Sequence, residues 1–179
     1  MQTTLEHLND LPGEVAETEF LACCGASRWA REMTARRPFR NLAELFQAGD
    51  QIWHGLGRED WLEAFARHPQ IGEKAGGNQL TSEAARRLSN RWSAEEQSGT
   101  EHDSAELMQR LAEGNRAYRQ RFGFIFIVCA AGKTAVDMLE ILKRRLRNDP
   151  SAELAIAAEE QRHITRLRLE KLLAADIPS

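Results

Sequence analysis

The sequence predicts an all-α fold, a single-domain helical bundle of roughly eight helices, and three observations carry that expectation. Apolar residues recur at intervals of three and four nearly throughout, strict polar–apolar alternation is absent, and helix-opening and helix-closing residues cut the chain into segments of helical length. The 179 residues, 42% hydrophobic and 28% charged, fit one domain spanning 1–179.

Taken in order, Leu5, Leu8 and Leu11 mark a short first helix that Pro12-Gly13 stops. A second runs from about Glu14 to Cys24, and a third begins near Ser27 with Trp29 and Met33 on one face. Asn41 fits the N-cap of a fourth, in which Leu42, Leu45, Phe46 and Trp53 form one stripe before Gly55 and Gly57 break the chain. The fifth, Glu59 to Arg67, turns Trp61, Leu62 and Phe65 inward. It must end at His68, because Pro69 disfavours helical geometry in the residue before it.

Residues 69–80 hold three glycines and one proline without periodicity, so they read as a loop of functional length. A helical stretch from Ser82 to about Asn90 follows. Ser93-Ala-Glu-Glu96 then fits a capping box opening a long helix with Leu107, Met108, Leu111 and Tyr118 on its apolar face, and Gly99 and Gly114 are candidate interruptions. Phe122 to Cys129 is strand-like, but a lone strand has nothing to pair with. The expectation is a buried, partly extended entry into a helix that continues through Val136, Leu139 and Leu142 to Asn148. Asp149-Pro150 starts the last helix, Ser151 to Ala174.

Composition narrows the function. A net charge of −3, a pI near 6.0 and interspersed signs lack the footprint of a nucleic-acid binder. No apolar run reaches the roughly 18 residues of a membrane span, and Met1 to His7 carry neither a basic start nor an apolar stretch, so no membrane association is expected. Cys23, Cys24 and Cys129 form no CxxC pair and sit among apolar residues, which argues for buried inert thiols over disulfides or zinc. The five histidines show no metal-ligand spacing, so no metal is implied. Of 24 basic residues 20 are arginine, the side chain suited to gripping carboxylates and amides in two places at once.

Three places carry candidate chemistry. His68, held by Pro69 at a helix exit beside a Gly-rich loop, has the side chain best matched to proton transfer near neutral pH, though it equally suits a hydrogen bond to a helix terminus. Ser93, Glu96 and Gln97 open a helix whose dipole favours the Glu96 anion. The same pattern serves plain capping. Arg121 with Phe122, Gly123, Phe124 and Ile125 combines a guanidinium with a Gly that lets backbone amides approach a ligand; the alternative is ordinary core.

Together the motifs His68-Pro-x-Ile-Gly72, Ser93-x-x-Glu96-Gln97, Arg121-Phe-Gly-Phe-x-Phe126 and Asn148-Asp-Pro-x-x-Glu153, the last leading to Ile164-x-x-Leu-Arg168-Leu169, resemble the family of decarboxylases acting on 2-oxo-4-hydroxy-4-carboxy-5-ureidoimidazoline (OHCU) in order and spacing. Cys24-Gly-Ala-Ser-Arg-Trp29-Ala is similar to the family's N-terminal half. The resemblance spans nearly the whole chain. It implies a cofactor-free all-α carboxy-lyase of urate degradation that converts OHCU to (S)-allantoin and CO2. It further implies that His68 is the catalytic proton donor and Glu96 its acidic partner, that Pro69, Ser93 and Gln97 contact substrate, and that Arg121, Phe122, Gly123, Phe124 and Ile125 hold the ring and ureido group. A homodimer is also implied.

Ile125 departs from the pattern, since many relatives have proline there; the change restores a backbone N–H. The chain lacks the transthyretin-like hydrolase domain fused to some relatives and ends Asp-Ile-Pro-Ser without a peroxisomal Ser-Lys-Leu, so a stand-alone cytoplasmic enzyme is expected. The chemistry needs no cofactor. The departing carboxylate sits on a carbon that bears a hydroxyl and adjoins a ring C=N, so the substrate is its own electron sink, and a Glu96 close to His68 would raise the imidazole pKa toward the charged donor. The alternative from another class is a non-catalytic all-α interaction module that keeps the fold. A helix-turn-helix regulator fits less well, since no basic recognition helix is present.

Overall fold

The structure, a computed structural model, describes residues 4–69 and 105–174. The helix expected over Ser82 to Asn90, the Ser93 capping box and most of the 69–80 loop lie outside the described residues. The described part is all-α, as the sequence predicts, with eight helices: α1 (Thr4–Asp10), α2 (Gly13–Cys24), α3 (Ser27–Ala35), α4 (Leu42–Gly55), α5 (Arg58–Ala66), α6 (Ala105–Phe122), α7 (Ala135–Arg145) and α8 (Pro150–Ala174).

The predicted punctuation is where the helices begin and end. The Asn41 carboxamide oxygen accepts the Glu44 N–H at 2.9 Å, which satisfies one of the unpaired amides at the start of α4. Helix α2 closes on Gly25, whose φ of +88° suits a residue without Cβ. A Cβ there would also lie 3.3 Å from the Ala64 Cα, so the glycine lets α5 approach the end of α2. Asp60 accepts the Gly57 N–H at 3.2 Å at the head of α5, and that helix gives way after Ala66 to a turn in which the His68 N–H bonds the Phe65 carbonyl at 3.1 Å.

Two expectations need correction. Gly114 does not interrupt α6. It is a packing residue, since a Cβ there would lie 2.5 Å from Cδ2 of the fully buried Leu142 on α7. The Phe122–Cys129 run does not lead directly into a helix either. Phe122 closes α6, residues 125–130 are irregular, and α7 starts only at Ala135 after a turn at Gly132 (φ +73°). Thr134 and Asp137 form the reciprocal box that opens α7, bonding each other's backbone N–H at 3.2 and 2.9 Å.

Helix α8 is the axis of the described fold, touching α1, α2, α4, α5 and α6, while α6 pairs with α7 and α2 with α3. A helix enclosed on several sides needs no single apolar stripe, and α8 buries polar residues too: Glu153, Gln161, Thr165 and Arg168. Each has to be hydrogen-bonded to be tolerated there. The Trp29 and Trp53 indoles solve the same problem by donating at 3.0 Å to the carbonyls of Gly49 and Ala158.

Candidate active site

His68 leaves the end of α5 half-buried, beside half-buried Pro69. Its imidazole faces α8, where the Gln161 side chain is its polar neighbour and the Arg168 guanidinium its charged one. Gln161 is fully buried and Arg168 nearly so. Burial first, and the Arg168 cation second, push the His68 pKa down to about 3, against the opposing effect of the Gln161 contact. The imidazole is therefore neutral at physiological pH. The upward shift expected from the sequence was to come from Glu96, which lies outside the described residues.

The segment expected to hold the ligand is brought to the same end of the molecule. Phe65, one turn before His68, packs on Phe124 with ring centroids 5.4 Å apart, and Phe124 in turn meets Tyr118 edge-on at 5.7 Å. Gly123 adopts φ +81°, a left-handed turn that releases the chain from α6 and sends Phe124 inward while Ile125 stays half-buried. Phe122 and Phe124 are buried. Arg121 stands exposed, its guanidinium donating to the Asn148 carbonyl at 3.0 Å and resting over the Phe122 ring at 5.3 Å. Ser93, Glu96 and Gln97 lie outside the described residues.

A buried polar network holds the far end of this segment. Arg145 donates to Glu153 at 2.6 Å and to the Ile127 carbonyl at 2.7 Å, with its guanidinium 4.8 Å over the Phe126 ring. Tyr118 donates its hydroxyl to the same Glu153 oxygen, and the Asn148 amide reaches the other at 2.7 Å. Every atom of the carboxylate is thus engaged, as a charge taken out of water requires.

Sequence reasoning missed Gln161 and Arg168 as site residues, although Arg168 stood in a quoted motif. The signal was present as polar residues at 161, 165 and 168, which share one face of a helix otherwise read from its leucines. The thiols need a smaller correction. Cys23 and Cys24 are buried, with the Cys24 pKa raised to about 12 by desolvation, but Cys129 is only half-buried. Among the described residues no three of His, Cys, Asp and Glu converge as metal ligands, and no helix is long and apolar enough to cross a membrane. A crevice lined by Trp29, Phe46, Asp50, Arg162 and Arg166 lies between α4 and α8, and it holds none of the expected site residues.

The described fold is an all-α domain in which the exit of α5 sets His68 against Gln161 and Arg168 of α8. The chain belongs to the OHCU decarboxylase family, whose model matches residues 9–170. It is 43% identical over 161 residues to the uric acid degradation bifunctional protein TTL of Arabidopsis thaliana, covering 90% of this chain and about half (48%) of that protein. It is 31% identical to the 2-oxo-4-hydroxy-4-carboxy-5-ureidoimidazoline decarboxylase of Mus musculus, over 82% of this chain and 79% of the relative. A crystal structure of OHCU decarboxylase in the presence of (S)-allantoin superposes with a TM-score of 0.74 at 40% identity, covering 88% of this chain and 98% of the other.

Proposed function

We propose that this protein decarboxylates OHCU to (S)-allantoin and CO2, with residues 1–179 acting as one domain of that kind. The observation that carries the reading is the family match over 9–170, in a fold that sets His68, at the exit of α5, against the buried Arg168 of α8. The substrate is an anion, and Arg168 is the buried cation next to the proposed catalytic group.

The chemistry follows from that pairing. The C–CO2 bond breaks and its electrons form a C=C bond with the neighbouring ring carbon, while the adjacent C=N takes the displaced pair and a solvent proton. The hydroxyl then loses its proton and becomes the carbonyl, and the carbon that bore the imine gains a proton on one face. A neutral His68 can accept the hydroxyl proton and a charged one can return a proton to carbon, so one imidazole can serve both halves in turn. A substrate carboxylate close to Arg168 offsets the charge that keeps the imidazole neutral and so eases the first transfer. Glu96 belongs to this proposal as partner to the hydroxyl, with Pro69, Ser93 and Gln97 as substrate contacts and Arg121, Phe122, Gly123, Phe124 and Ile125 holding the ring and ureido group. A homodimer working in the cytoplasm completes the reading.

The test is to generate OHCU from urate with the two upstream enzymes and follow its decay and the optical activity of the allantoin formed. Enzyme-dependent acceleration with a single enantiomer supports the proposal. Decay at the spontaneous rate overturns it and leaves the non-catalytic module.

A further inference from the structure

Gln161 is oriented by its own donors. Its side-chain nitrogen gives one hydrogen to the Cys24 carbonyl at 3.1 Å and the other to the Thr165 hydroxyl at 3.2 Å, and that hydroxyl is itself committed to the Gln161 carbonyl at 2.9 Å. Flipping the amide would set its oxygen against the Cys24 carbonyl oxygen, two acceptors face to face. The side-chain oxygen of Gln161 is thereby left over, fully buried and without a hydrogen-bond partner among the described residues. Such an atom is costly to maintain. The imidazole of His68 is a neighbour on which Gln161 acts in the direction that favours a bound proton, as an acceptor must.

We infer that Gln161 is a positioning residue for His68: its fixed side-chain oxygen takes the N–H of one imidazole nitrogen, so the histidine enters the reaction as a single tautomer with its other nitrogen bare. This rests on the proposed catalytic role of His68 and deepens it. A bare nitrogen accepts the substrate hydroxyl proton first and donates second, so the imidazole needs no proton in advance. Among the described charged groups near the end of α5, Glu63 and Arg67 are paired with each other at 2.7 Å, and it is the Arg168 cation that acts on the ring.

The experiment reads the imidazole directly, by nitrogen–proton correlation NMR of the histidine-labelled free protein, with the His68 signals identified by their loss in His68→Gln. Wild type is expected to show one protonated and one bare nitrogen, unchanged between pH 5 and 8. Gln161→Leu is expected to move both nitrogens toward the tautomer average and to lower kcat about tenfold or more with KM within about twofold. Gln161→Glu keeps an acceptor and adds a charge, so it should hold the tautomer and bring His68 protonation up toward neutral pH. Should Gln161→Leu fail to fold, Gln161→Glu decides alone. Unchanged nitrogen shifts in Gln161→Leu, or an imidazole still uncharged at pH 6 in Gln161→Glu, overturns the inference. The NMR result needs no substrate, so failure to process OHCU would remove the functional reading and leave the tautomer assignment standing.

Discussion

Phe65 and Phe124 meet with ring centroids 5.4 Å apart and planes inclined by 44°, which ties the exit of α5 to the irregular segment after α6. Phe65 is fully buried and Phe124 nearly so, and His68 follows Phe65 by one turn. The pair therefore gives the 122–126 segment a direct packing contact with the helix end that carries His68. Phe124→Ala should cost about 3 kcal/mol of stability, from lost burial and the void left behind. By the same coupling, OHCU turnover in Phe124→Ala should fall further than in a variant equally destabilised elsewhere, for instance Leu45→Ala in the buried face of α4. Equal turnover in two such variants, measured where both are fully folded by circular dichroism, would separate Phe124 from the site.

Tyr118 is the only tyrosine in the chain, which makes its ionisation easy to follow. Burial first and then the Glu153 carboxylate push its pKa well above the usual value of 10, with Arg145 opposing. A phenol whose folded pKa is raised adds stability below its unfolded pKa, and that stability is lost as pH rises beyond it. Phenolate absorbance should therefore stay absent through pH 10 and appear together with unfolding. In Glu153→Gln, which removes the charge while keeping a side-chain oxygen, Arg145 is left as an uncompensated buried cation; destabilisation of about 3 kcal/mol or more is expected. Smooth phenolate titration near pH 10 in the folded wild type would show the network to be open to water.

Much of the fold was legible because helix punctuation is local chemistry. Asn41 and the Asp149-Pro150 pair act through their own backbone neighbours, so their meaning survives without knowledge of the tertiary structure. The site was less legible. His68 announces itself through Pro69, but Gln161 and Arg168 lie about a hundred residues later on a helix whose burial on several sides hides any single stripe. Nothing in a one-dimensional reading says that a polar residue among leucines faces a histidine instead of water. The lowered His68 pKa was not legible either, since it depends first on burial and then on the Arg168 cation that the fold brings near.

Gly114 sets helix propensity against packing. An alanine in mid-helix is favoured over glycine by about 1 kcal/mol. Its Cβ, however, would sit 2.5 Å from Leu142 Cδ2 and 3.3 Å from Cγ, and Leu142 has no exposed surface into which to retreat. Overpacking of this kind costs about 1–3 kcal/mol. Gly114→Ala should therefore be destabilising despite the better helix former, by about 1 kcal/mol net, in urea denaturation. Gly114→Ala combined with Leu142→Val, which shortens the opposing side chain, should recover part of that loss. A stabilised single variant would mean that α6 and α7 separate easily.

The neutral His68 also sets how the protein responds to acid. Its ordinary pKa is 6.5, and burial together with the Arg168 cation takes it to about 3 in the folded state. Below pH 6.5 the unfolded chain binds a proton that the folded one refuses, so stability contributed by the neutral imidazole is complete above pH 6.5 and declines as pH falls toward 3. The limiting slope is about 1.4 kcal/mol per pH unit. Replacing the titrating ring by an uncharged side chain of similar size removes this term, whatever constant cost the replacement adds. His68→Asn should thus flatten the stability profile between pH 6 and 4.5 relative to wild type, read from urea midpoints at matched ionic strength. Parallel profiles for the two proteins would mean that His68 takes up its proton in the folded state near its ordinary pKa, and the cation beside it would then have no hold on its charge.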